Sequence, residues 1–270
     1  MHISNTNWPQ TEQANRLPYA HRITTFIDFL CWTRDVRTLE AGQPGLFLPM
    51  EAALRHISNS KANIDQKRNQ GQGRHDARMT QFSDSIVLSY QPSPDAAARA
   101  LWDAAFVGQV MLRAGFLPRG GMTIGPLYHT DAVMFGGAFL EAYRLEQEVA
   151  INPRILVDDP VTEFAHQFLA SHPGPESQQS CTRLDADGRR YVHVLSKHWS
   201  FLEKERAEEI AGQFQDSGVK MMFDELCRML PLRLKQADTP KERYKIEWMR
   251  DYTNDAIKEH GFDLKVTLPP

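Results

Sequence analysis

Arg22-Ile23-Thr24-Thr25-Phe26-Ile27-Asp28-Phe29-Leu30-Cys31-Trp32 is short, rich in β-branched and aromatic residues, and apolar on both faces except at Asp28. That pattern predicts a central strand covered on both sides. An ionised carboxylate in such a strand costs several kcal/mol unless it is partnered. Asp84 poses the same problem inside Met79-Thr80-Gln81-Phe82-Ser83-Asp84-Ser85-Ile86-Val87-Leu88-Ser89-Tyr90, whose halves read as a hairpin turning at Ser83-Asp84-Ser85. Two carboxylates facing one cavity can hold a pair of magnesium or manganese ions, with phosphate oxygens and water completing the shell. Each can instead cap a turn or pair with an arginine.

Outward from these segments, strand and helix signals alternate. Pro49–Leu54 opens a helix, and the polar stretch Asn59–Asp76, with Gly71 and Gly73, reads as a flexible loop. Ser93-Pro94-Asp95 caps a helix over Ala96–Arg113 that stops at Gly115. Strands follow at Arg119–Gly125 and Tyr128–Met134, then a helix at Ala138–Val149 and a strand at Arg154–Val157. A helix near Val161–Ala170 and a Pro/Gly/Ser-rich loop, Ser171–Ser180, lead to a hairpin over Arg183–Leu195 with a type I′ turn at Asp187-Gly188. From Ser200 the chain turns to charged amphipathic helix: Phe201–Phe214, Val219–Leu234 and Lys241–His260. The division is residues 20–198 as one α/β domain and 199–270 as a helical C-terminal extension.

With 270 residues, 41% hydrophobic and 24% charged, the chain has the composition of an ordinary globular protein. A formal charge of −3 argues against a general nucleic-acid binder. Cys31, Cys181 and Cys227 show no metal-ligand spacing and fit a reducing cytosol. No stretch approaches the ~20 apolar residues of a membrane span. These features predict a cytoplasmic enzyme or binding protein with no nucleic-acid or membrane partner.

Taken in order, the segments resemble the class III nucleotidyl cyclase domain. Thr25–Thr33 is similar to that family's first strand, and Phe82-Ser83-Asp84-Ser85 to its metal-binding hairpin. Arg119-Gly120-Gly121-Met122-Thr123-Ile124-Gly125 is similar to the R-x-G-I-x-x-G strand, and Gly136–Arg144 to the helix motif G-x-x-V-N-x-A-x-R. The resemblance covers roughly residues 20 to 195. It implies a ferredoxin-like α/β fold, a mostly antiparallel sheet flanked by helices, and two Mn2+ or Mg2+ ions per site on Asp28, Asp84 and the backbone carbonyl of Phe29. It also implies catalysis by Asp28, Asp84 and Arg144, substrate contacts at Phe26, Thr80, Val133 and Arg144, and a homodimer with shared sites. Taken alone, Arg144 equally fits an ordinary i,i+4 neighbour of Glu148.

Two departures matter. Leu140 stands where the family has its ribose-orienting asparagine. Thr80 and Val133 stand at the base-reading positions, replacing the family's Lys and Asp for adenine or Glu and Cys for guanine. The purine code is absent. Phe82–Val87 and Gly121–His129 look closest to the pyrimidine cyclases of the Pycsar antiphage system, which implies UTP or CTP as substrate and a cyclic product that acts on a separate effector protein. The alternatives are a purine cyclase and a catalytically silent, cyclase-like module. His129, His166, His193 and His198 read as structural or surface groups. Arg189-Arg190 could reach triphosphate oxygens, and Trp199, Phe201, Leu202 and Met221-Met222-Phe223 read as core of the tail helices.

Overall fold

The computed structural model describes residues 19–171, 181–197 and 216–269. The elements are β1 (Ala20–Leu30), α1 (Trp32–Glu40), α2 (Phe47–Asn69), β2 (Arg78–Phe82), β3 (Ser85–Tyr90), α3 (Pro94–Arg113), β4 (Leu117–His129), β5 (Met134–Phe135), α4 (Gly137–Arg144), β6 (Ile155–Val157), α5 (Asp159–Ser171), β7 (Thr182–Leu184), β8 (Arg190–Val192), α6 (Asp216–Lys235) and α7 (Pro240–His260). The sheet runs β2-β3-β1-β4-β6-β8-β7, with β5 added to β4. Every pairing is antiparallel except β4 with β6. The first four strands with α2 and α3 make a βαββαβ unit of ferredoxin-like order. The chain is thus a mixed α/β fold, a central sheet flanked by helices with a helical C-terminal part.

β1 lies between β3 and β4, as its sequence predicts. Period-2 alternation sends Ile23, Ile27 and Phe29 into the main core with Leu101 and Leu112 of α3. Arg22, Thr24, Phe26 and Asp28 point to the other face, where Phe26, Val87 and Ala142 of α4 form a second, small cluster. Ser93 caps α3 by accepting the Ala96 amide at 3.1 Å, with Pro94 in the first turn.

α4 reaches the sheet because β4 has no side chain beneath it. A Cβ on Gly121 would lie 2.5 Å from the Ala142 carbonyl oxygen and 2.5 Å from Leu145 Cβ. Gly121→Ala is therefore expected to lift α4 and destabilise the fold by about 2 kcal/mol, as overpacking does. Thermal denaturation checks this; an unchanged melting temperature contradicts it.

Four expectations are corrected. Asn59–Asp76 is not a loop: α2 runs on to Asn69, supported by the half-buried Lys61–Asp65 and Arg68–Asp65 pairs. Arg119–Gly125 and Tyr128–Met134 are not two strands, since β4 runs unbroken through Pro126. Past Met122 the β6 edge has ended, and a proline is tolerated on an unpaired edge. The helix expected over Ala138–Val149 is α-helical only to Arg144 and widens to a π turn at Leu145–Val149. The Asp187-Gly188 turn is not type I′, because a positive φ occurs at Gly188 (77°) and not at Asp187. Instead the Gly188 amide bonds the Asp185 carbonyl at 2.9 Å, closing a longer loop.

α6 and α7 share the main core with the sheet through Phe223, Leu226, Leu230, Met249 and Ile257. Met222 and Phe223 are core, as expected, whereas Met221 is exposed. The predicted helix Phe201–Phe214, with Trp199 and His198, lies outside the described residues. Among the described residues no helix is long and apolar enough to cross a membrane.

Candidate functional site

The pairing of β1 with β3 sets Asp28 opposite Ser85, the residue after Asp84. Ser85 Oγ donates to Asp28 Oδ1 at 3.0 Å. The turn Ser83-Asp84 joins β2 to β3, with Ser83 at φ 51°, where a non-glycine residue costs roughly 1–2 kcal/mol. This tight turn puts a second carboxylate beside the first.

Burial, and then the like charge of Asp84, raise the Asp28 carboxyl to about 6, against the opposing Ser85 bond. The arginine that should neutralise it is engaged elsewhere. Arg119 stands opposite Asp28 on β4, but its guanidinium bonds Glu146, which is fully buried. The π turn brings Glu146 to that position. Asp28 and Asp84 thus place two carboxylates together at the end of the sheet where β1 runs out, beside the β2–β3 turn. The Gly120 amide bonds Arg154 on the β6 side, so by alternation Pro118 also faces away from β1, and the Phe29 carbonyl opposite it turns to the β3 side, one residue past the last β1–β3 pair, Asp28 with Ser85.

This donor set fits hard divalent cations, which commonly take one or two carboxylates and complete their shell with substrate phosphates. Among the described residues no cluster of three or more His, Cys, Asp or Glu side chains is placed to hold a metal.

A raised carboxyl makes a signed prediction. The folded protein holds the Asp28 proton more tightly than the unfolded chain does, so metal-free stability falls as pH rises from about 4 through about 6. Asp28→Asn should remove that part of the decline and exceed wild type above pH 6 by about 1 kcal/mol, discounted for partial exposure. Melting temperatures of both proteins with EDTA, from pH 4 to 8, check it; parallel curves contradict it.

The other candidates divide. Thr80 lies on the same face as Asp28 and its hydroxyl sits 2.8 Å from His129 Nε2. Phe26 shares the row, but its ring is buried under Phe139 and Tyr143, with centroids at 6.0 and 5.3 Å. Val133 is exposed in the β4–β5 loop, where its carbonyl accepts the Thr130 amide. Arg144 lies on the exposed side of α4, bonded to Glu141 at 2.8 and 2.6 Å, with Glu148 at 3.8 Å. Within one protomer it is bonded to these neighbours. Leu140 is 64% exposed on the same helix.

Arg189 and Arg190 sit three strands from β1. His193 bonds Tyr252 and Glu259 and is structural, as expected of it. Sequence reasoning missed Ser85, Glu146, Arg22 and Ser89, and read His129 as incidental. The one available signal was Arg22, a cation at the start of a strand otherwise read as buried.

Two solved cyclases align with the chain. The crystal structure of an adenylate/guanylate cyclase/hydrolase from Silicibacter pomeroyi does so at 17% identity and a TM-score of 0.38, over 65% of this chain and 96% of its own. A bacterial light-regulated adenylyl cyclase does so at 15% identity and a TM-score of 0.38, over 68% of this chain and 55% of its own. No family model matches the chain, and no curated protein does.

Proposed function

We propose that this chain is a nucleotide cyclase that closes UTP or CTP into the 3′,5′-cyclic monophosphate with release of diphosphate. The observation that carries the reading is the Asp28–Asp84 pair, joined by the β1–β3 register while Arg119 is held by Glu146. Such a pair is costly without a cation and useful with one. The pyrimidine assignment rests on Thr80 and Val133, which supply neither the charges nor the thiol of the purine code. The biological setting, a messenger made in antiphage defence and read by a separate effector, rests on the sequence resemblance.

In the reaction the 3′ oxygen attacks the α-phosphorus, the bond to the β-phosphate oxygen breaks, and the 3′-hydroxyl proton leaves to solvent. Asp28, Asp84 and the Phe29 carbonyl would hold two Mg2+ or Mn2+ ions, which when bound supply Lewis acidity at the hydroxyl and neutralise the leaving group. Ser85 fixes one Asp28 oxygen, leaving the other to the ligand side. Arg144 presents a planar guanidinium suited to phosphate oxygens, and it serves the site of a second copy. Leu140 and Tyr143, one turn apart on α4, and the nearby Val133 and Phe135 are exposed apolar residues that support such a homodimer.

The test is incubation with manganese and each of ATP, GTP, CTP and UTP, followed by chromatography for cyclic monophosphates. A cyclic pyrimidine supports the reading and a cyclic purine overturns its base assignment. Leu140, where the family's asparagine would orient the ribose, favours a second reading as a silent nucleotide-binding module, and no product from any triphosphate would shift the reading to that module or to an enzyme switched on by an infection signal. Mixing Asp28→Ala chains with Arg144→Ala chains should restore about a quarter of wild-type turnover, because half the dimers are mixed and each carries one intact site. No rescue overturns the shared site.

A further inference from the structure

A hydrogen-bonded chain crosses the sheet face that carries Asp28 and ends at Thr80. Arg22 Nη1 donates to Asp76 Oδ2 at 2.7 Å, and Arg22 Nε donates to Ser89 Oγ at 2.8 Å. Ser89 Oγ lies 2.7 Å from His129 Nδ1, and His129 Nε2 lies 2.8 Å from Thr80 Oγ1. Arg22, Ser89 and His129 are buried, and Thr80 is half-buried.

The direction of this chain follows from its first member. A guanidinium donates and never accepts, so Ser89 Oγ receives the Arg22 proton. Of the two groups that contact Ser89 Oγ, His129 Nδ1 is the one able to accept its hydroxyl proton, so donation to the ring satisfies the buried hydroxyl. Burial and the charges of Arg22, Arg78 and Arg68 push the His129 imidazole down to about 4, which keeps it neutral. A neutral ring that accepts at Nδ1 carries its proton on Nε2, so His129 donates to Thr80 Oγ1. With His129 donating to one of its two lone pairs, Thr80 no longer spends its own hydroxyl proton on the ring, and that proton is left for a ligand.

Alternation along β2 puts Thr80 and Phe82 on one face, and Phe82 is paired with Ser85 beside Asp84. The Phe82 ring is 54% exposed, about 7 Å along the strand from Thr80. Carboxylates, aromatic ring and oriented hydroxyl therefore follow one another along the hairpin, in the order of the phosphates, sugar-base body and base edge of a nucleotide. We infer that Arg22, Ser89 and His129 are positioning residues that fix Thr80 as a hydrogen-bond donor, so that the site selects a base with a carbonyl edge, uracil over cytosine. The inference rests on the nucleotide reading of the site. A purine that entered would obey the same rule, guanine over adenine.

The test is calorimetric binding of UTP, CTP, GTP and ATP with Mg2+, alongside turnover. UTP should bind about tenfold tighter than CTP, and GTP about tenfold tighter than ATP, the effect of one hydrogen bond made rather than opposed. Thr80→Val should bring each pair within about twofold. Ser89→Ala, which touches no ligand, should also narrow the ratios, chiefly by weakening UTP binding. Should that variant not fold, nitrogen-15 NMR of wild-type His129 decides, with Nδ1 unprotonated and Nε2 protonated expected. Cyclisation with no preference or with CTP preferred overturns this inference and leaves the cyclase. Carbonyl-selective binding without cyclisation supports it and overturns the cyclase, and no nucleotide binding overturns both.

Discussion

Asp28→Ala is expected to lower cyclisation of UTP by ~10³-fold or more without weakening the fold, a change of about 4 kcal/mol in the barrier. Asp28 is the carboxylate from which both cations would be held, so its loss removes Lewis acidity and charge neutralisation together. Its packing duty is small: the row above it is closed by Phe26, Val87 and Ala142, none of which depends on the carboxylate. Its electrostatic contribution to the metal-free fold is unfavourable, since burial and Asp84 both oppose ionisation. Activity and stability should therefore move in opposite directions, the mark of a group retained for function. Turnover and a thermal melt on one preparation decide it. Turnover within about tenfold of wild type sinks the metal-ligand role, and loss of activity through unfolding sinks the claim that Asp28 is dispensable to the core.

What the sequence revealed, and what it hid, divides by the range of the interaction. Asp28 was legible because one carboxylate interrupts an otherwise apolar strand, and Asp84 because it sits in a turn between two strand patterns. Both signals lie within a dozen residues. The fate of Arg119 was not legible, because its partner Glu146 comes from a π turn that no helical periodicity announces. The same holds for His129, whose neighbours Ser89 and Thr80 stand 40 and 49 residues away. α2 was misread because it buries only Met50, Ala53 and Ile57, all in its first half. Its later turns bring only Ile64 against the core as a large apolar residue, and a helix that polar looks like a polar loop. The place of α6 and α7 in the main core was equally hidden, since amphipathic periodicity says that a face is buried and not against what.

Asp35→Ala is the second large effect expected, a loss of about 3–5 kcal/mol in stability. Arg233 of α6 bonds both oxygens of Asp35 on α1, at 2.5 and 2.7 Å, and donates to the Gly115 carbonyl at 2.9 Å. The two side chains are 3% and 8% exposed. Removing the carboxylate leaves a guanidinium that cannot discharge itself and has no water to turn to. The cost is therefore that of an uncompensated buried charge rather than of one surface pair. Over a fold of this size it should lower the melting temperature by about 10 °C. Asp35→Leu combined with Arg233→Met should recover most of the loss, because an apolar pair of similar volume removes the charge along with its partner. A shift below about 2 °C for Asp35→Ala would mean that α6 detaches from α1 at little cost. A full shift means that the helices after residue 216 are part of the fold that holds β1, and through β1 the Asp28 carboxylate, in place.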